Sequence, residues 1–400
     1  MVIFGKKVVT MTKNTKTIKP NFVRENNVKV IIDLLSENPA SCLEIANQIK
    51  ISDVGANKII KQLLSLNMVK KVAEDKSEKK IGGQHIRYTL NERIGLYVCI
   101  DFTEFVNTAY IYDFANNLIK TIKFDISYYA SVLEVSEAIK ILKEYLTTIL
   151  PDYDNRILGI GVSVPGQINK NTNGFLKSAK FKNFAENELH QMLNDAFDTY
   201  IIIRHNVQLM AIGELDKGKL NNKYEIATYI YAGNGLAACV LFEGKNISGW
   251  RGYAGEIAGN AIYPNSRLGD YCSLGEILKK VQKTRPETTI NDLFEMYKTE
   301  PEFHKTINES AKVLATFMNN VTNLLGCNLF MISGMTLQFG DEYLNVIKEF
   351  LDSRAPINVE VVKSSLDNAA IMGAMKLLKD FVVTDYYRSH IQSNSNNGSC

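Results

Sequence analysis

The chain has 400 residues, enough for two or three domains and a large core, and its 46% hydrophobic and 22% charged content is that of an ordinary soluble protein. No apolar run reaches the about 18 residues of a membrane span, and the Thr- and Lys-rich start has no secretory pattern. Six scattered cysteines without a close pair argue against a disulfide framework or a cysteine-cluster zinc site and for a reduced, cytoplasmic setting.

The net charge of +3 hides an asymmetry. Residues 1–93 carry 17 Lys and Arg against 9 Asp and Glu; residues 94–400 carry 29 against 34. A basic segment ahead of an acidic body suits a polyanion-binding head, or a solvated basic tail.

Residues 1–22 read as a flexible basic arm. From Arg24 the pattern is helical, with Val28, Ile31, Ile32, Leu34 and Leu35 in one stripe, broken at Glu37-Asn-Pro39. Ser41, with Glu44 three residues on, predicts a capping box and a second helix burying Leu43, Ile45, Ala46 and Ile49. Ser52 caps a third helix with Ile59, Ile60, Leu63 and Leu64 inward. The stretch Ile81–Leu90 reads as a β-hairpin wing. Residues 23–92 are therefore expected to form a winged helix-turn-helix that binds duplex DNA. Its third helix would present Ser52, Asp53, Gly55, Asn57, Lys58 and Lys61 to a major groove, the lysines on phosphates and Asn57 on a base edge. Gln84, His85 and Arg87 of the wing would reach a minor groove. A small protein-interaction module is the alternative, against which the basic balance argues.

Residues 93–388 read as a two-lobed α/β body. Strands Gly95–Ile100, Val106–Asp113 and Leu118–Ile126, helix Val132–Leu150 and strand Ile157–Val164 precede Pro165-Gly166. A similar order recurs with strands Glu225–Ala232, Leu236–Phe242 and Leu329–Ser333, helix Glu342–Arg354, strand Val359–Val362 and helix Ala369–Phe381. Two such lobes imply a cleft where a ligand sits. The Ser- and Asn-rich stretch 389–400 reads as a disordered tail.

Between the second-lobe strands Gly233 and Gly235 suit a turn whose amides approach a ligand. Beyond them Gly249-Trp-Arg-Gly-Tyr-Ala-Gly-Glu256 reads as a loop bent over a small polar molecule. The Trp250 face and the Glu256 carboxylate suit a sugar, with its CH faces and hydroxyl donors; an ordinary hairpin and loop is the other reading.

A winged head followed by this body resembles the ROK family of repressors and sugar kinases, in its repressor branch. The resemblance spans about residues 22–380. It rests on Gly159-Ile-Gly-Val-Ser-Val-Pro-Gly166, Ala211-Ile-Gly-Glu214, Gly233-Asn-Gly235, Gly252-Tyr-Ala-Gly-Glu-Ile257, Ile332-Ser-Gly334 and Ala369-Ala-Ile-Met-Gly-Ala374, in that order and spacing. It implies an actin-like, two-lobed ATPase fold, a dimer or tetramer, and a sugar site using Asn206, Glu256 and Glu276, with His205, Trp250 and Gly166 nearby.

Family kinases carry Asp-x-Gly-Gly-Thr after the first strand; here it reads Asp101-Phe-Thr-Glu-Phe105, with side chains where backbone should meet phosphate. Their catalytic Asp is replaced by Asn206, an amide that accepts no proton, where a general base is worth about 10²–10⁴ in rate. His205 beside it is either a rescue base or a hydrogen-bonding spacer. Of the family's zinc ligands only Cys272 remains, with Gly259 at the histidine position, so no metal and no cofactor are expected. The expectation is a sugar-sensing DNA-binding regulator without enzymatic activity. Against it stand an ATP-dependent sugar kinase with a DNA-binding head and a constitutive DNA-binding dimer that senses no sugar.

Overall fold

The computed structural model describes residues 20–72, 86–103, 107–169, 171–218, 220 and 224–396. The chain divides into two compact units, Met1–Asn91 with Val383–Cys400, and Glu92–Val382.

In the first unit the order is α1 (Pro20–Glu37), β1 (Ala40–Ser41), α2 (Cys42–Ile49), α3 (Asp53–Ser65), β2 (Val69–Lys71) and β3 (Arg87–Leu90). Val28, Ile31, Ile32 and Leu35 of α1 are buried with Ile45, Ala46, Ile59, Ile60 and Leu63. The capping box at Ser41 is present: the Ser41 amide donates to Glu44 Oε2 at 2.7 Å and the Glu44 amide to Ser41 Oγ at 3.3 Å. Lys50, at φ 57°, ends α2, and Ser52 Oγ accepts from the Gly55 amide at 3.1 Å to open α3. The three strands pair antiparallel in the order β1-β3-β2. This is a winged helix-turn-helix. Two details differ from expectation. The first helix starts at Pro20, inside the stretch read as an arm, because proline is well suited to a first helical position. Leu43 is 41% exposed, since the buried face of α2 is set by Ile45 and Ala46. The rest of the arm, residues 1–19, and residues 73–85 of the wing lie outside the described residues.

The second unit repeats one supersecondary pattern twice. In the first lobe β4 (Leu96–Asp101), β5 (Asn107–Asp113) and β6 (Leu118–Phe124) lead to α4 (Val132–Ile149), β7 (Ile157–Val164), β8 (Gln167–Asn169), β9 (Gly174–Lys177), α5 (Glu188–Phe197) and β10 (Ile201–His205). Helix α6 (Asn206–Asp216) then enters the second lobe, with β11 (Ile226–Ala232), β12 (Leu236–Phe242), β13 (Lys245–Asn246), β14 (Ala261–Tyr263), β15 (Ser266–Arg267), α7 (Leu268–Cys272), α8 (Leu274–Gln282), α9 (Ile290–Thr299), α10 (Pro301–Leu325), β16 (Leu329–Ser333), α11 (Asp341–Arg354), β17 (Glu360–Lys363) and α12 (Ala369–Asn396). The sheets have matching orders, β10-β7-β4-β5-β6 and β13-β12-β11-β16-β17, each with an antiparallel hairpin on one side and two parallel crossovers on the other. The central strands β4, β7 and β16 are near-continuous apolar runs because helices cover both faces.

Helix α12 corrects one expectation. The stretch from Ser389 was read as disordered, yet the helix runs to Asn396. No Gly or Pro interrupts the chain between Gly373 and Asn396, so polar composition alone does not stop a helix already nucleated upstream. No described helix is both long and apolar enough to cross a membrane.

The lobes are joined at the crossing of α6 and α12. A Cβ on Gly213 would lie 2.0 Å from the Ala369 carbonyl, and one on Gly373 would lie 1.9 Å from that of Leu209, so the backbones touch only because both residues are glycine. Beside the contact Glu214 is fully buried. Its carboxylate accepts from the Ser365 amide at 2.6 Å, the Leu366 amide at 2.8 Å and the hydroxyls of Ser364 and Ser365, both at 2.7 Å. Burial pushes the Glu214 pKa up, but these bonds to the charged form outweigh it and hold the group below its usual value. A Glu214→Ala chain should unfold at a lower urea midpoint, by roughly 1–3 kcal/mol or more, since four donors lose a buried acceptor. A depressed pKa stabilises above the unfolded carboxylate value and is lost as pH falls through the folded one, so the gap between wild type and variant should narrow in acid.

Candidate functional site

Within the second unit a cavity of about 660 Å³ opens between the two sheets. Its floor is the β10–α6 junction, where His205 caps α6 and Asn206 is the first helical residue. The wall from the first lobe is the turn after β7 and the stretch from Lys177 to Lys180. The wall from the second lobe is the β11–β12 turn, Glu256, and the first turn of α8 with Glu276. Gly166, His205, Asn206, Glu256 and Glu276 are thus brought together from four separate stretches of chain.

Each has an evident local reason for its place. Gly166 sits at φ 118°, and a Cβ there would come within 2.4 Å of the Lys177 carbonyl, so the turn closes only with glycine. His205 Nδ1 accepts from the Val207 amide at 3.3 Å, which leaves the ring proton on Nε2, 3.9 Å from Glu256 Oε1. Burial lowers the His205 pKa to about 4, so the imidazole is neutral near pH 7. Burial raises the Glu256 carboxyl, while Lys177 and a hydrogen bond from Gln167 draw it partly back. Asn206 is 4% exposed and contributes an amide with both donor and acceptor capacity. Glu276 is held by Lys279 at 2.7 Å. The set offers carboxylate acceptors, a neutral N–H and an amide, which is what a polyhydroxylated ligand needs.

Trp250 is not brought to this cavity. The ring is 74% exposed, and Arg251, in a left-handed turn at φ 51°, stacks its guanidinium over it at 4.7 Å. The glycine turn also behaves differently from expectation. The Gly233 amide donates to the Gly235 carbonyl at 2.9 Å, and the carbonyls of Gly233 and Asn234 are bound by the amides of Leu274 and Gly275. Residues that the sequence did not single out also line the cavity. Tyr128 accepts from the Asn234 amide at 3.2 Å, joining the two lobes at its rim. Lys180, only 2% exposed, adds a buried cation. A lysine inside a polar stretch gives no periodic signal of burial, so only the tertiary structure reveals it.

A second cavity of about 330 Å³, lined by Asp101, Thr103, Tyr229, Ser333, Gly334 and Asp367 among others, holds the Asp101 loop that the family resemblance assigns to nucleotide. The residues fit a nucleotide poorly. Tyr231 lines both cavities, and its hydroxyl presses on Gly233, where a Cβ would be 2.6 Å away. Desolvation raises the Asp101 carboxyl, hydrogen bonds from Thr103 and Ser163 draw it partly back, and its Oδ1 accepts from the Thr103 amide at 3.1 Å. Glu104 and Phe105 lie outside the described residues. Zinc also does not fit. Burial pushes the Cys272 thiol up to about 12, its Sγ donates to the Ser310 carbonyl, and no group of three or more His, Cys, Asp or Glu gathers among the described residues.

In the first unit α3 buries Ala56, Ile59, Ile60 and Leu63 and leaves Asp53, Asn57, Lys58 and Lys61 exposed. Ser52 spends its hydroxyl on the helix cap, and the Asn57 amide donates to the Asp53 carbonyl at 3.0 Å. Arg87 also makes contacts within the head. Its guanidinium donates to the Pro39 carbonyl at 2.5 Å and pairs with Glu44 at 3.3 Å, so it ties β3 to α2. Gln84 and His85 lie outside the described residues.

With this geometry in hand, comparison with known proteins gives one consistent result. The ROK family model matches residues 129–381. The xylose repressor of Caldicellulosiruptor bescii is 22% identical over 391 residues, covering 88% of this chain and 95% of that protein. The xylose repressor of Bacillus subtilis is 20% identical over 381 residues, covering 90% and 96%. Among solved structures, a ROK family transcriptional regulator, a homologue of the E. coli Mlc protein, superposes with a TM-score of 0.74 at 16% identity, covering 92% of this chain and 98% of that one. A ROK hexokinase from Thermus thermophilus superposes with a TM-score of 0.58 at 15% identity, covering 72% and 99%. The fold is therefore the actin-like, two-lobed one, preceded by a winged head.

The site predicts how binding should respond to substitution and acid. A sugar that donates hydroxyls to Glu256 should lose affinity as pH falls through that group's raised pKa, earlier than a solvent-exposed carboxylate would allow. In calorimetry, Glu256→Gln and Asn206→Ala should each weaken binding by about 1–3 kcal/mol, and Trp250→Ala should leave it within about 0.5 kcal/mol.

Proposed function

The chain belongs to the ROK family, and from that premise we propose that it is a sugar-responsive transcriptional repressor acting in the cytoplasm. The winged head binds operator DNA as part of a homodimer or tetramer, and a sugar filling the cavity releases it. The observation that carries this reading is the contrast between the two cavities. The groups Asn206, Glu256 and Glu276 line one space of about 660 Å³, whereas the space beside Asp101 is only about 330 Å³ and the Asp101 carboxylate already accepts from the Thr103 amide at 3.1 Å. Binding parts are present where catalytic parts are missing. The names of the relatives support the same direction, since several are xylose repressors.

The chain carries out no phosphoryl transfer in this reading. Asn206 stands where a general base would be needed, and neutral His205 points its N–H, not a lone pair, toward Glu256. An imidazole in that tautomer donates to a ligand or to the carboxylate and abstracts nothing. What the cavity does is couple binding to lobe geometry. A sugar that bridges Glu256 on one lobe and Gly166–Gln167 on the other favours one separation of the lobes. If the head binds DNA better at a different separation, the ligand lowers DNA affinity; a coupling of about 1–3 kcal/mol corresponds to roughly 5–150-fold. Release therefore requires no chemistry, only unequal affinity of the sugar for the two conformations.

The test is a titration of the purified chain against duplexes from its own upstream region, at fixed salt because phosphate contacts are salt-sensitive. D-xylose is the first sugar to try, followed by other pentoses, hexoses and aminosugars. One sugar should weaken DNA binding within that range, and Glu256→Gln should hold DNA with the sugar present. ATP-dependent phosphorylation of that sugar would overturn the non-enzymatic reading. Tight DNA binding indifferent to every sugar would overturn the sensing one.

A further inference from the structure

We propose that Val54 reads the 5-methyl group of a thymine in the major groove, making it a specificity-determining residue of the head. The inference rests on the DNA-binding reading above and adds to it a base that the operator must contain.

Val54 is 79% exposed, in the first turn of α3 immediately after the Ser52 cap. Folding gives no reason for valine there. The buried face of α3 is Ala56, Ile59, Ile60 and Leu63. A β-branched side chain is also a weak choice for an exposed helix position, where straight-chain residues do better. Exposed apolar residues scattered singly need no explanation, but this one has a definite setting. At about 100° per residue, Val54, Asn57, Lys58 and Lys61 fall within an arc of about 100° on the face opposite the core. Val54 stands inside that arc, with Lys58 to one side and Lys61 to the other, and all three are exposed. Two ammonium groups flanking an apolar group match a groove whose walls are phosphates and whose floor has one apolar feature.

The chemistry narrows the floor feature to one. Valine has no donor or acceptor, so it cannot pair with any of the polar base edges. Buried against one of them, it would cost that edge its water. The only apolar group that a base pair presents in the major groove is the thymine methyl. Helix-turn-helix proteins set the N-terminal residues of their second helix against base edges, which is where Val54 lies. Lys58 and Lys61, one and two turns further on, then meet the backbone and fix the register without reading sequence.

The experiment separates this inference from its parent. Duplexes that bind the full-length chain are enriched from a randomised pool, and each thymine of the best one is replaced by uracil, which removes only the methyl group. Affinities are read at one salt concentration for wild type and for Val54→Ala, whose fold is checked by thermal melting. The expected result is one thymine per half-site whose uracil replacement weakens wild-type binding about 3–5-fold, the effect of exposing one methyl group. That penalty should shrink below about 1.5-fold in Val54→Ala, while the salt dependence, set by the lysines, is unchanged. Lys58→Ala should do the opposite, lowering the salt slope and keeping the uracil penalty. If Val54→Ala keeps the wild-type uracil profile, or no thymine is sensitive, the assignment of Val54 fails and DNA binding stands. If no duplex is enriched, the DNA-binding reading fails and this one with it.

Discussion

The bond set around Glu214 is the constraint on which the body depends. Helix α6 begins at Asn206 in the ligand cavity and ends two residues beyond Glu214, so one rigid element joins ligand contact to lobe junction. Four hydrogen bonds fix its far end to the segment between β17 and α12, and the paired glycines Gly213 and Gly373 leave no slack at the crossing. A buried carboxylate with every donor in place is costly to disturb, because breaking one bond leaves charge in a dry interior. Motion of one lobe against the other therefore has to pivot about this joint rather than tear it. Under the proposed reading, a ligand on Asn206 acts on an element already anchored at its other end.

The same rigidity suits the proposed reading, a cavity that binds a sugar without transferring phosphate. Binding a sugar needs directional donors and acceptors at fixed positions, which Asn206, Glu256 and a neutral His205 supply. Transfer needs something more, a group that takes a proton and a cradle that tolerates a triphosphate. Asn206 is nearly isosteric with an aspartate and offers a hydroxyl the same acceptor geometry, but its amide takes up no proton. Tyr231 lines both cavities, and at the second one the Asp101 carboxylate accepts from the Thr103 amide.

Much of the fold was legible because its signals are local. The Ser41–Glu44 capping box, the Ser52 cap and the β11–β12 hairpin each depend on residues within a few positions of one another, and each appears as read. Cavity residues were legible only where a motif carried them. Glu256 and Asn206 came with glycine spacing and with the Ala-x-Gly-Glu landmark, whereas Tyr128 and Lys180 belong to no pattern and reach the cavity through tertiary contacts alone. Trp250 shows the opposite failure. Its neighbours Gly252 and Gly255 do shape the loop, but left-handed backbone at Arg251 turns the ring outward, and no sequence period encodes that sign of φ. Arg87 shows a related limit: a basic residue in a wing suggests phosphate, and the sequence alone does not reveal that β1 pairing beside β3 also places the Pro39 carbonyl and Glu44 within its reach.

That last case bears on how charge should be read in the head. A guanidinium held by a carbonyl and a carboxylate is already half neutralised, and moving it to a phosphate would break both contacts. Its two contacts tie β3 to the segment that opens α2. Lys58 and Lys61 of α3 are exposed. Under the proposed reading, affinity and selectivity fall to different side chains on one short helix. Long flexible cations tolerate small errors in register, and so cannot discriminate sequence. The short side chains near the Ser52 cap have few rotamers and are set by the backbone that the cap fixes, so any discrimination has to come from them.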